Sequence, residues 1–231
     1  MIEQQVYTAD NGAAPASVND QHLACVLLLD VSSSMQNNNA IGKLNSAIAA
    51  FKEQCLKDDA LQRGLDIAVV EFASEVKILQ EFTPVTEMIT PVLEANGQTS
   101  MGAGLTVAMD MLERRKAQYK EIGIPYHRPW IFMISDGAPN DDYAPVFKKV
   151  CEMQQNKKLE LWAVGVPGYE KEILTMLTMR VIELDDGLNF ASLFEWLSSS
   201  LSTKSRSNPG DSVKYEMLPE GSRVIPSDWG K

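Results

Sequence analysis

The sequence predicts an α/β fold: a doubly wound, mostly parallel central sheet with one antiparallel edge strand and helices on both faces. Three observations carry this. Short continuous apolar runs recur along the chain ("HLACVLLLD", "LDIAVVEFA", "RPWIFMISDG", "LELWAVGV"), as strands buried on both faces require. Stretches with apolar residues every three or four positions lie between them, the mark of amphipathic helices. Two of the runs are separated only by Ser74 and Glu75, too short a link for a parallel crossover, so that pair is antiparallel. Alternating strands and helices otherwise give right-handed crossovers that cover both faces of a parallel sheet.

Taken in order, residues 1–21 form a polar arm with no apolar segment of signal-peptide length. The first strand ends at Asp30, and a helix from Ala40 to Lys57 buries Ile41, Leu44, Ile48, Phe51 and Cys55. Strands follow at 65–73 and 76–85, the second with clearer alternation and so nearer an edge. Thr86–Ala95 reads as a short helix interrupted at Pro91. The glycine-rich "NGQTSMGAG" opens a long helix ending near Gly123, with Leu105, Ala108, Met109 and Leu112 on its buried face. "RPWIFMISDG" is a strand, followed by a helix over Ala144–Gln155, a strand at 159–166, a helix at 170–178 and a strand at 180–185. Asn189 caps a last helix that buries Phe190, Leu193, Phe194, Leu197 and Leu201. The main domain therefore spans 22–203. The tail, 204–231, is rich in Ser, Pro and Gly and reads as flexible or loosely docked, with "VKYEML" as its one strand-like stretch.

Composition narrows the function. With 21 basic and 31 acidic residues among 231, the net charge is −10, which repels phosphate backbones and argues against nucleic-acid binding. The three cysteines, Cys25, Cys55 and Cys151, have no metal-binding spacing and sit among apolar neighbours, as buried reduced thiols do. The apolar run at 23–29 is far below the roughly 20 residues of a membrane helix. A cytoplasmic protein with no membrane partner is expected.

In an open α/β sheet, ligands bind beyond the carboxyl ends of the strands, where the strand order reverses. Three segments there are unusual: Asp30 with Ser32 and Ser34 after the first strand, Thr99 before the long helix, and Asp136 after "IFMIS". Asp and Ser after a strand are common turn and cap residues, so no one of these segments is specific alone. Together they offer two carboxylates and three hydroxyls, the all-oxygen set a hard cation such as Mg²⁺ takes. The absence of nearby His or Cys argues against zinc or copper. Residues 32 and 34 of a tight turn share a side, which leaves Ser33 as a spacer. Two carboxylates about balance a divalent ion, and a carboxylate from a partner would complete its coordination.

"LLLDVSSSM", "NGQTSMGAGL" and "IFMISDGAP" resemble the metal-ion-dependent adhesion site of von Willebrand factor A domains, over about residues 22–203. The resemblance implies the Rossmann-like fold of that family. It also implies Mg²⁺ (with Mn²⁺ or Ca²⁺ as substitutes) held directly by Ser32 and Ser34, directly or through water by Thr99, and largely through water by Asp30 and Asp136. "RPWIFMISDGAPNDDY" and "FASLFEWLSSSLSTKSRS" are similar to the bacterial TerY-like group associated with tellurium resistance and stress. That similarity implies a cytoplasmic adaptor with a kinase or phosphatase partner.

The same residues admit other readings. An Asp-nucleophile phosphatase would use Asp30, but such enzymes resemble DxDx[TV], and Ser32 stands where the second Asp belongs. A scaffold binding through its tail, with a merely structural metal, is a further alternative. His22 and His127 pair with no Ser or Cys in a hydrolytic pattern, and His127 reads as a loop histidine. "NGQTSMGAG" lacks the lysine of a phosphate loop. Asp141 and Asp142 read first as caps of the helix that follows and second as rim residues tuning partner choice. Residues 35–39, 100–102 and 138–143 would form that rim. Trp130, Trp162, Phe194 and Trp196 read as core, and Arg114, Arg115 and Lys116 as a solvated helix face. The chain is thus expected to be a non-catalytic protein-interaction module.

Overall fold

The computed structural model describes residues 20–136, 138–208 and 210–225. Most of the expected N-terminal arm and the last six residues of the tail lie outside these. Seven strands form one sheet: β1 (Leu23–Asp30), β2 (Leu65–Phe72), β3 (Val76–Pro84), β4 (Trp130–Ser135), β5 (Glu160–Gly165), β6 (Val181–Leu184) and β7 (Ser222–Ile225). Their order is β3-β2-β1-β4-β5-β6-β7. The five inner strands are parallel, and β3 and β7 pair antiparallel with β2 and β6 at the two edges. The single antiparallel edge expected from the sequence is therefore two. The second was missed because "VKYEML" is not a strand; the chain pairs only later, at Ser222–Ile225.

The helices are α1 (Ala40–Cys55), α2 (Asp59–Gly64), α3 (Met101–Glu121), α4 (Ala144–Gln155), α5 (Lys171–Leu177) and α6 (Phe190–Ser205). Alternate residues of β1 divide the core. Leu23, Cys25, Leu27 and Leu29 pack with α1 and α6 on one face, and Ala24, Val26 and Leu28 with α3, α4 and α5 on the other. Both faces of β1 are buried, which is why its sequence shows no alternation.

Two local expectations are corrected. Thr86–Ala95 is not a helix: a single 3-10 turn at Val85–Glu87 gives way to irregular chain. Pro91 lacks an N–H and pushes Thr90 toward extended backbone. Side chains take the place of the helix ladder, with Gln80 Oε1 accepting from Ile89 N–H (2.6 Å) and Asn45 Oδ1 from Leu93 N–H (2.8 Å). Arg115, placed on a solvated face, is buried. It falls on the same stripe of α3 as Leu105, Ala108, Leu112 and Tyr119, and its guanidinium meets Asp66 at 3.0 Å. Asp66 also accepts from His22 Nδ1 (3.0 Å) and from the Tyr119 hydroxyl. Burial first, then the Asp66 charge, push the Tyr119 phenol well above its usual range, so it stays a donor.

Candidate functional site

The strand order reverses between β1 and β4, and the loops leaving their carboxyl ends, together with the loop before α3, form one rim. Their backbones are stitched. Ser33 N–H donates to Gly97 O (3.0 Å), Asn96 N–H to Val31 O (2.7 Å) and Asn140 N–H to Thr99 O (3.0 Å). Gly97 has φ +81°, and a Cβ there would lie 2.6 Å from Ser74 Oγ, so this turn requires glycine.

Four of the five expected side chains converge. Ser34 Oγ donates to Asp136 Oδ1 at 2.8 Å, Ser32 Oγ lies 3.0 Å from Ser34 Oγ, and Ser32 Oγ lies 3.5 Å from Asp136 Oδ1. Asp30 sits behind them, with Oδ1 accepting from Ser32 N–H (2.8 Å) and Oδ2 from Ser135 Oγ (2.6 Å). Thr99, largely buried, joins through its backbone bond to Asn140. Ser33 is exposed, in keeping with its reading as a spacer. Ser135 is the residue that sequence reasoning missed. A hydroxyl in the otherwise apolar "WIFMIS" strand was the available signal.

Burial pushes the Asp30 carboxyl up to about 6, against hydrogen bonds from Ser135 and Ser32 that lower it, and nearby Asp136 raises it further. Burial likewise raises Asp136, with the Ser34 hydroxyl pulling the other way. Two buried carboxylates at one spot are costly as anions unless a cation accompanies them.

The donors, all oxygen, fit a hard cation. Neighbouring oxygens of a magnesium octahedron with bonds of about 2.1 Å lie about 3 Å apart, whereas calcium's longer bonds set them about 3.3–3.7 Å apart. The triangle Ser32 Oγ, Ser34 Oγ and Asp136 Oδ1 has sides of 3.0, 2.8 and 3.5 Å, the two shorter ones being hydrogen bonds, and so spans both spacings. Among the described residues no three His, Cys, Asp or Glu side chains group as a metal site, so a cation here relies on hydroxyls.

The rim differs from expectation in one respect. Asp141 caps a helix, but α3 rather than the following α4: Oδ1 accepts from Gly102 N–H (3.1 Å) and Oδ2 from Ala103 N–H (2.8 Å). A Cβ on Gly102 would lie 2.9 Å from Tyr143 Cα, so glycine permits this approach. The run Gln36–Asn39 lies at the end of a 3-10 segment in which Asn38 and Asn39 have φ of 51° and 55°, a left-handed conformation that Asn tolerates better than most residues. His127 is buried, and Trp130, Trp162, Phe194 and Trp196 are core residues, as expected.

Residues 25–138 match the family model of the von Willebrand factor type A domain. No curated sequence matches the chain. Among solved structures, one form of the proximal thread matrix protein 1 from the mussel byssus, described as having a zinc-occupied MIDAS motif, is 20% identical. It superposes with a TM-score of 0.56 over 78% of this chain and 48% of its own. This chain thus spans about half the length of that protein. The pilus adhesin SpaC of Lactobacillus rhamnosus GG is 11% identical, with a TM-score of 0.62 over 82% of this chain and 32% of its own. The vWF domain of the type V pili tip protein Mfa5 of Porphyromonas gingivalis is 13% identical, with a TM-score of 0.57 over 83% of this chain and 99% of its own. Among the described residues no helix is long and apolar enough to cross a membrane. With the family match centred on β1 through β4 and the same fold around it, the chain contains a von Willebrand factor type A domain.

Proposed function

We propose that this domain is a Mg²⁺-dependent, non-catalytic protein-interaction module whose partner supplies an Asp or Glu carboxylate. The observation that carries this reading is the convergence of Ser32 Oγ, Ser34 Oγ and Asp136 Oδ1 within 3.5 Å of one another at the carboxyl ends of β1 and β4. Ser32 and Ser34 would hold the ion through neutral hydroxyls, and Thr99, on the loop bonded to Asn140, would add a third. Asp136 orients the Ser34 hydroxyl, and Asp30 fixes the turn through Ser32 N–H. When bound, the cation supplies an electrophilic centre that attracts an anionic ligand. Because few of its donors are charged, that attraction is retained. Mn²⁺ or Ca²⁺ would substitute.

Asp30 is poorly placed as a phosphatase nucleophile: it is fully buried and both oxygens accept hydrogen bonds. The similarity to TerY-like proteins supports a cytoplasmic adaptor in a bacterial stress, tellurium-resistance or phosphorylation-linked pathway, with a kinase or phosphatase as partner. The tail offers a rival binding surface, but part of it is built into the fold, since Tyr215 donates to Glu160 Oε2 (3.1 Å) and β7 completes the sheet.

The test is titration calorimetry with Mg²⁺ and Mn²⁺, followed by affinity capture with and without EDTA. Saturable Mg²⁺ binding lost in Ser34→Ala and Thr99→Ala, with capture lost in the same variants, is the expected result. Capture unchanged by EDTA and by both variants would overturn the proposal.

A further inference from the structure

We infer a second site at the opposite end of the sheet: a basic cavity that binds a small polyphosphate anion. The cavity has a volume of about 490 Å³, within the range of ligand pockets. It lies where β4 and β5 begin, at the end of the parallel strands remote from Asp30 and Asp136. Lys116, Lys120, Arg128, Lys157, Lys158 and Lys204 line it, against one acidic lining residue, Glu113. Six of the chain's 21 Lys and Arg residues thus share one hollow with a single one of its 31 Asp and Glu residues.

These cations come from four separate segments: α3, the loop before β4, the turn between α4 and β5, and the last turn of α6. Part of their charge has a structural use. The carboxyl ends of α3, α4 and α6 all point here, each equivalent to about half a negative charge. Glu113 pairs with Lys116 at 2.5 Å. Glu160 serves three cations at once: Arg128 at 3.3 Å, Lys204 at 3.8 Å and Arg180 at 4.0 Å. Asp211 offers Lys204 its carbonyl at 3.4 Å while its carboxylate turns to Asn208. Counting Arg180 and all three carboxylates, an excess of about two to three positive charges remains after the helix ends are included.

Two groups are under-satisfied in a way an anion would correct. The Lys204 side chain is 3% exposed, and its contacts with Glu160 and the Asp211 carbonyl are long, at 3.8 and 3.4 Å. Arg128 Nε is buried and has no hydrogen-bond partner among the described residues. A buried donor without an acceptor costs free energy that a ligand oxygen recovers. A single phosphate reaches only one side of such a cavity, whereas cations arriving from four segments match a chain of two or more phosphates. Tyr126, whose ring packs 5.4 Å from that of Tyr119, also lines the cavity and is the aromatic group there that a nucleotide base would meet. Both inorganic polyphosphate and the phosphate tail of a nucleotide therefore carry the chemistry that this site reads.

The experiment is titration calorimetry of the full chain with tripolyphosphate, ATP and orthophosphate. All runs are made in EDTA, so that no anion is held by a cation at the Asp30 end. Tripolyphosphate is expected to bind saturably and more tightly than orthophosphate. Raising salt from about 50 to about 500 mM should weaken it about tenfold or more. Lys120→Ala with Lys158→Ala, both exposed residues, should weaken it by about tenfold as well, with an unchanged circular dichroism spectrum and melt. ATP equal to tripolyphosphate supports recognition of the phosphates alone, and tighter ATP supports added stacking on Tyr126. Absence of saturable tripolyphosphate binding in the wild-type chain, or an affinity that survives the double variant, would overturn the inference.

Discussion

Replacing Asp141 by alanine probes the physical link between the 138–143 loop and α3. The two N–H groups that Asp141 accepts from, those of Gly102 and Ala103, are the second and third of the helix, and Ser100, at the cap position, makes no side-chain cap bond. One distant aspartate therefore replaces the local cap. Losing a capping side chain costs about 0.5–2 kcal/mol. The acceptor here is ionised and faces the positive end of a 21-residue helix, which adds about 0.3–1 kcal/mol. The expected loss centres on about 2 kcal/mol, or about 4–8 °C in Tm for a domain of this size. Asp141→Asn keeps one acceptor oxygen but loses the charge and the second acceptor, so it should cost less, about two-thirds as much. Urea unfolding with an unchanged m-value and thermal melts read both. Asn140 of the same loop supports Thr99, so Mg²⁺ affinity should fall with stability in the alanine variant. A loss below about 0.3 kcal/mol for Asp141→Ala, or equal losses for the two variants, would refute the capping argument.

The remaining predictions concern the core and the site. Arg115→Met leaves Asp66 charged and buried without its guanidinium, and chemical denaturation should show a loss of about 3–5 kcal/mol. Asp58 caps α2 and accepts from Ser202 Oγ and Arg206. Burial raises its carboxyl, but these bonds and the Leu61 and Ala60 N–H groups lower it further, to a net position below the usual range. Its contribution is therefore present above the unfolded value of about 3.9 and lost as pH falls through the folded value, and Asp58→Asn should flatten the acid limb of a stability–pH profile. Ser34→Ala removes a candidate ligand and the hydroxyl facing Asp136, so Mg²⁺-induced thermal stabilisation should disappear while the melt without metal moves by about 1 kcal/mol or less.

The sheet was legible because its signals are local. Fully buried parallel strands read as apolar runs, and the Ser74–Glu75 link fixed the β2–β3 hairpin whatever surrounded it. The convergence of Asp30, Ser32, Ser34 and Asp136 was legible for the same reason, since these polar residues end or directly follow those runs. What escaped depends on contacts between distant segments. Arg115 fits the apolar stripe of α3 by spacing alone, yet only the arrival of Asp66 and His22 from β2 and the start of β1 makes a buried guanidinium tolerable. Asp141 carries the local signature of an N-cap for α4, and nothing near it in sequence shows that α3 begins beside it. Strand β7 has four residues, two of them exposed, and pairs with an edge strand, too little periodicity to register. The basic cavity gathers one or two residues from each of four segments far apart in sequence, so no single stretch announces it.

The distribution of charge bears on how strictly the proposed interaction depends on metal. Asp30 and Asp136 lie at the site and Asp141 and Asp142 at its rim, in a chain of net charge −10. Without a cation, a partner carboxylate entering this rim meets four others, and like charges at close range cost more in a partly buried site than in water. With a cation bound, the same rim would still disfavour carboxylates away from the ion. The acidic surroundings therefore do not oppose the proposed recognition; they confine it. Metal removal should accordingly abolish capture rather than weaken it, and high salt, which screens the rim more than the coordination bond, should leave Mg²⁺-dependent capture largely intact. Capture lost in high salt with Mg²⁺ still bound would show that exposed charges, not coordination, hold the partner.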